Sequence, residues 1–218
     1  MQIRSSVDFL PDSVIENRAQ ALLDRYRREI GPVDCFPVPA EKIADLLLEL
    51  QIDWAPIDDT DVEPVLAAII PSTHTLRLNE RRRPFFNEYF GSLAYSIAHE
   101  LGHHELHLAE PEMVQLPLLD GAGCPAYLCR HTGQERDRRE LQAERFAASL
   151  LMPTDLLLPV IKPLDLLKWR TLYELRDNVG VSISALVKRL EGLGRLFVTR
   201  DRKLYRSREE ATGQATLF

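Results

Sequence analysis

Apolar side chains recur three and four residues apart between residues 13 and 30 and again between 39 and 50, a spacing that lays one hydrophobic stripe along each of two helices. The second helix runs into a short strand, Ile52-Asp53-Trp54, and the pattern then becomes extended at Val65–Ile70 and Thr75–Asn79. Pro71-Ser72-Thr73-His74 between those runs is turn chemistry, so they predict a hairpin. Helical spacing returns at Leu93, Ala94, Ile97, Ala98, Leu101 and Gly102, directly after the hairpin. It returns again at positions 143, 146, 147, 150 and 151 of a helix that opens at Glu140 and meets a proline stop at Pro153. Residues 110–134 between these helices are rich in Pro, Gly and acidic side chains and predict a long loop over the cleft, of a length that is often functional. Further helices are predicted at Trp169–Asn178 and Ser184–Leu193, parted by a tight Val179-Gly180-Val181-Ser182 turn in which Ser182, or Ser184, suits an N-cap. A basic hairpin around Asp201-Arg202 follows, and the order helix, turn, helix, hairpin looks like a winged helix-turn-helix. The whole predicts an α+β fold, mainly helical, with a small sheet. It divides into a core over 1–160, a basic module over 161–210 and a tail over 211–218.

The chemistry gathers on the helix after the hairpin. His99 and His103 stand at i and i+4, on one face one turn apart, where they can share a metal ion. Glu100 lies beside them as a carboxylate held off the metal, able to take a proton from water that a zinc ion acidifies to a pKa of roughly 7. The alternative for such a pair is polar helix surface, but the flanking residues are apolar or small, which suits a helix buried on most sides. His104 falls off the metal-binding face and reads as structural, while His107, one turn past His103, can reach the cleft as a supporting or substrate-side group. A catalytic zinc site takes three protein ligands and keeps one position open. The best third ligand is Glu140. Glu144, at i+4 from it, can orient a ligand histidine through its free ring N–H. The competing account is a solvated acidic face paired with Arg136, Arg139 and Arg145. Zn²⁺ is the expected ion, and Mn²⁺ or Fe²⁺ suits the same ligands.

His99 to His103, followed some forty residues later by E-x-x-A-x-x-F-A-x-x-L-L-M-P at Glu140–Pro153, resembles the ImmA/IrrE family of zinc metallopeptidases, formerly a domain of unknown function. Pro37–Ala44, Thr75–Asn79 and Val179–Leu193 also fit that family, so the resemblance covers most of the chain from about residue 15. It implies a gluzincin-like (zincin-like) fold with His99, His103 and Glu140 as ligands and Glu100 as base. It also implies a function, cleavage of a helix-turn-helix repressor that switches on phage, mobile-element or stress genes. Position 144, usually Asn or Asp in the family, is Glu here, a longer side chain at the orienting position.

Composition narrows the remaining choices. With 218 residues and 45% hydrophobic content the chain can bury one good core, or one core and a small appended module. No run of eighteen apolar residues occurs and Met1–Ser5 lacks a signal-peptide core, so the expectation is a cytoplasmic protein with no membrane association. Three unevenly spaced cysteines make no disulfide framework, although Cys124, Cys129 and His131 offer part of a second metal site lacking a fourth ligand. From Lys162 to Arg208 twelve Lys or Arg stand against five Asp or Glu, a balance of +7 in a chain of −6, which leaves −13 elsewhere. Lys188, Arg189, Arg200, Arg202 and Lys203 are the candidate phosphate or partner contacts, with DNA binding expected to be weak because the acidic remainder repels a duplex. Tyr95, Tyr127, His107 and the Arg138/Arg139 pair are candidates for substrate contact or oxyanion stabilisation. Two functions compete: a zinc endopeptidase acting on a repressor, and a DNA- or protein-binding regulator whose zinc is structural. An intact Glu100 favours the first, since a structural site has no need of a base and usually has four protein ligands. The sequence leaves the oligomeric state open.

Overall fold

Helix α1 (Asp12–Glu29) buries Ile15, Ala19, Leu22, Leu23 and Tyr26, all on the stripe that the spacing predicts. The structure, a computed structural model, describes residues 10–58, 65–108 and 133–213, with side chains from 138 onward in the last stretch. The second predicted helix is shorter and wider than expected: one α turn, α2 (Ala40–Lys42), opens into a π turn over Ile43–Leu47. Its end is set by Glu49, whose left-handed backbone (φ 53°) turns the chain into β1 (Gln51–Ala55).

The sheet has three strands in the order β1, β3, β2, with β2 spanning Ala67–Ile70 and β3 Thr75–Asn79. β2 and β3 form the predicted hairpin, antiparallel with Ile69 opposite Leu76, and β1 lies parallel to the other side of β3. Arg77 and Asp53, paired in register on that side, close a forked ion pair at 2.8 Å. The chain leaves β3 through Asn79, whose fully buried amide donates to the carbonyls of Ile57 and Val65 and accepts from the N–H groups of Ile57 and Arg81. Every polar atom of that buried side chain is thereby satisfied.

A short helix that the hydrophobic pattern did not reveal, α3 (Arg83–Glu88), precedes α4 (Ser92–His103). A π turn over His104–Leu108 continues α4. Then come α5 (Gly133–Leu151) and α6 (Thr154–Ile161), the second also unforeseen because Pro153 begins it as well as ending α5. α5 packs against both α4 and α1, burying Ala143, Phe146, Ala147, Leu150 and Leu151. Among the described residues no helix is long and apolar enough to cross a membrane.

The C-terminal stretch carries α7 (Trp169–Val179), α8 (Ile183–Gly192), a two-stranded ribbon of β4 (Phe197–Val198) and β5 (Leu204–Tyr205), and α9 (Arg208–Thr212). Ser182 is the N-cap of α8, accepting from Ala185 N–H at 3.1 Å. Leu172, Leu175, Val179, Val181, Leu186, Leu190 and Leu196 lie in the same buried cluster as the stripes of α1 and α5. The α7–α8 turn also touches the entry to α4. A Cβ on Gly91, which has φ 77°, would come 2.8 Å from the carbonyl oxygen of Gly180, so only glycine admits that contact.

Five residues of this stretch were assigned to phosphate or partner contact, and one assignment is overturned. The Arg189 side chain is only 9% exposed and grips Glu16 of α1 with two bonds of 2.6 and 2.5 Å. It also donates to Met152 O at 3.1 Å and Thr154 Oγ1 at 3.1 Å. A guanidinium so enclosed binds helices together and has no donor to offer a phosphate. Lys188 and Arg200 are exposed, Lys203 pairs with Asp201 at 3.0 Å, and Arg202 lies over the Trp169 ring while its carbonyl accepts from the indole N–H.

Candidate metal centre

α4 is helical where it must hold two imidazoles in line, and α5 crosses it closely enough to supply a carboxylate. Gly102 makes the approach possible. A Cβ there would stand 3.0 Å from both Cα and O of Ala143 and 3.2 Å from Cβ of Phe146, so any larger residue would push the helices apart beside the histidines. Three side chains meet at this crossing. His99 Nε2 lies 3.1 Å from Glu140 Oε2, the Nε2 atoms of His99 and His103 are 3.1 Å apart, and His103 Nε2 is 3.6 Å from Glu140 Oε1. Among the described residues this is the one group of three His, Cys, Asp or Glu side chains arranged to hold a metal ion.

The spacing can be tested against an ion. Donor atoms about 2.0–2.1 Å from a tetrahedral Zn²⁺ lie roughly 3.3 Å from one another, close to the 3.1, 3.1 and 3.6 Å found here. Two imidazoles and one carboxylate are also the donor set of an open catalytic site rather than a closed structural one. His99 and His103 have side chains 17% and 10% exposed, whereas Glu140 stays 45% exposed, so the group is open on the side of α5.

Glu100 points to the other flank, where its Oε2 accepts from the backbone N–H of Ile69 at 3.1 Å. That N–H lies on the free edge of β2, so one carboxylate oxygen is fixed by the sheet. Burial raises the Glu100 carboxyl above its usual range, against the pull of His103 and His99. Burial opposes ionisation of Glu140 as well, but hydrogen bonds to His103 and His99 outweigh it and hold Glu140 well below the usual carboxylate range. For His99 burial lowers the affinity for a proton, and the Glu140 bond with the charges of Glu100, Glu140 and Glu144 more than offsets it, so its pKa is raised.

The other predicted site residues fall in different places. His104 pairs with Glu105 at 2.9 Å, away from the cluster. His107 is buried with its ring centre 5.5 Å from that of His103 and Nε2 3.4 Å from the Arg139 carbonyl, and burial pushes its pKa down to about 4. Tyr95, one turn before His99 with ring centres 6.4 Å apart, is pushed up to about 12 by burial and by Glu144, which keeps it a hydrogen-bond donor. Glu144 itself is exposed and hydrogen-bonds neither histidine among the described residues, so it reaches the cluster as a charge and not as the orienting contact. Arg145 pairs with Asp12 of α1, not with the acidic face of α5, and Arg138 is exposed. Tyr127, Cys124, Cys129, His131 and nearly all of the loop over 110–134 lie outside the described residues, as does the Arg136 side chain. Two contributors went unread in the sequence: the Ile69 amide, which no side-chain pattern reports, and Gly102, whose signal was a small residue midway along an apolar helix face.

Residues 71–191 match the IrrE N-terminal-like domain, a peptidase family. The chain belongs to this family. The match takes in β3 as well as α4 and α5, the two elements that bear the cluster, and continues through α7 into α8. Among solved structures the chain is similar to a Mycobacterium tuberculosis transcriptional regulator, with TM-score 0.50 and 14% identity over 88% of this chain and 55% of that one. The chain thus spans about half the length of that regulator, and the likeness is one of fold. No curated protein matches. The chain thus carries, within a peptidase family domain, a His-His-Glu group at the crossing of α4 and α5 whose donor atoms are arranged to hold a metal ion.

Proposed function

We infer that this IrrE-like protein is a zinc-dependent endopeptidase that cuts a partner protein, a helix-turn-helix repressor, and so releases the genes it represses. The observation that carries this reading is the convergence of His99, His103 and Glu140 with Glu100 half-buried beside them and tied to a strand edge. A divalent ion held by the triad would supply Lewis acidity, which polarises a carbonyl and brings the pKa of water near 7. Glu100 has one oxygen fixed by Ile69 N–H, leaving the other to accept a proton from water and return it to the leaving amine. The free edge of β2 offers main-chain groups to an extended peptide, which gives affinity with little sequence demand. Tyr95, half-buried one turn before His99 and neutral at pH 7, is the group placed to donate to a developing oxyanion, whereas the single N–H of a neutral His107 is taken by the Arg139 carbonyl.

The solved neighbour described as a transcriptional regulator supports a setting in gene control. It also keeps a second reading in view, a DNA- or protein-binding regulator with no proteolysis, which the basic balance over 162–208 favours. Glu100→Gln separates the two. The amide keeps the shape and the metal ligands but accepts no proton, so cleavage of the repressor encoded nearest the gene should fall by ~10²- to 10⁴-fold with bound metal unchanged. Cleavage at the wild-type rate by the metal-loaded variant would refute Glu100 as base, and no cleavage by the wild type would favour the regulator.

A further inference from the structure

Away from α4 and α5, the end of α6 and the segment after α8 enclose a cleft of about 480 Å³ lined by Leu158, Ile161, Lys162, Leu166 and Arg195. That volume lies within the range of small-molecule sites. Its floor is wholly aliphatic, with Ile161 6% exposed, and its polar groups are two exposed cations. Lys168, Arg170, Arg176, Arg189 and Lys203 each meet a carboxylate within 3.0 Å, whereas Lys162 and Arg195 meet none among the described residues. The same is true of Lys188, Arg200, Arg202, Arg206 and Arg208, and Lys162 and Arg195 are the two such cations that line this cleft. Two uncompensated charges over hydrocarbon complement a molecule with a single anionic head and an alkyl tail. The planar fork of arginine with a lysine beside it matches the two oxygens of a carboxylate, while the lining residues offer no aromatic face for a ring and no further donors for a phosphate.

We propose that this cleft binds a small alkyl carboxylate, its head held between Lys162 and Arg195 and its chain laid on Leu158, Ile161 and Leu166. The site is independent of peptide hydrolysis, and its occupancy can be read without any protein substrate. Calorimetric titration of the full chain with hexanoate, octanoate and decanoate at low salt tests it. Decanoate should bind saturably at one site, with each methylene added along the series tightening binding by about two- to fourfold, the lower figure for a half-buried chain. Lys162→Glu with Arg195→Glu should weaken decanoate binding at least tenfold, and the milder Lys162→Gln with Arg195→Gln several-fold. Both residues are exposed, so these variants should keep the wild-type melting temperature. Leu166→Asn should flatten the chain-length dependence. Absence of saturable binding up to about 5 mM decanoate, equal affinity along the series, or unchanged affinity in the folded charge-reversed variant would each overturn the proposal.

Discussion

Removing the Arg189 guanidinium tests the reassignment of that residue from ligand contact to structural clamp. Arg189→Ala strips Glu16 of both charge-assisted bonds, at 2.6 and 2.5 Å, and leaves the Met152 carbonyl without its 3.1 Å donor. Ser149 and Thr154 would still donate to the carboxylate, at 2.9 and 2.6 Å. Breaking a buried pair from one side costs about 3–5 kcal/mol. Glu16 is 31% exposed and can recover some water, which brings the expectation to about 2–4 kcal/mol, a large part of the ~5–15 kcal/mol that holds a domain together. Urea unfolding should show this as a lower midpoint with an unchanged slope. Arg189→Lys, which keeps the charge but not the fork, should fall between, and Lys188→Ala on the exposed neighbouring position should stay within about 0.5 kcal/mol of wild type.

The clamp also has a pH signature. Burial would raise the Glu16 carboxyl, but the bonds from Arg189, Thr154 and Ser149 win and hold it at about 2, against an ordinary value of 4.5. A depressed carboxylate contributes stability that is complete above 4.5 and disappears as pH falls towards 2, on the order of 2–3 kcal/mol after allowance for partial exposure. Arg189→Ala should flatten the stability curve across that window. A variant as stable as wild type at pH 7 and equally sensitive to acid would refute the clamp and restore Arg189 to the surface.

Other expectations follow from the same contacts. Glu140→Ala should leave purified protein with far less than the one metal equivalent expected of the wild type by elemental analysis, and undiminished metal would shift the third ligand to another residue. Gly102→Ala should destabilise by about 1–3 kcal/mol through overpacking on Ala143 and weaken metal retention by displacing Glu140, a result excluded if metal affinity stays at the wild-type value. Fluorescence polarisation with labelled duplexes should find only weak, nonspecific DNA binding that fades with salt, and tight sequence-selective binding at physiological salt would contradict it.

How far the sequence could be read depended on the distance over which each contact is set. His99, Glu100 and His103 are joined by helix geometry alone, so their common placement follows from a five-residue spacing. Glu140 was legible as a residue type on a second amphipathic helix, but its approach depends on Gly102 facing Ala143, a packing relation between helices. The hairpin was readable from its turn, whereas the parallel addition of β1 to β3 was not, since nothing local records it. α3 escaped because Arg83-Pro84-Phe85-Phe86-Asn87-Glu88 has no apolar period to report.

Arg189 shows the limit of reading function from charge balance. The count of +7 over 162–208 treats each cation as available, but Arg189 lies one position before buried Leu190 and three after buried Leu186, at the border of the apolar stripe of α8. A charged residue at that border faces either solvent or a neighbouring helix, and which it faces depends on a carboxylate 173 positions earlier. With Arg189 turned inward, Lys188 is the remaining cation on α8 itself. Arg195, Arg200, Arg202, Arg206 and Arg208 follow α8 in the chain, in the segment that carries the ribbon and α9. A helix that reads a groove needs side chains reaching base edges, and phosphate contacts from a flanking ribbon confer affinity without sequence choice. The positive balance of this segment therefore argues for attraction to acidic partners in general, and the buried fork of Arg189 for α8 as part of the framework behind the metal centre.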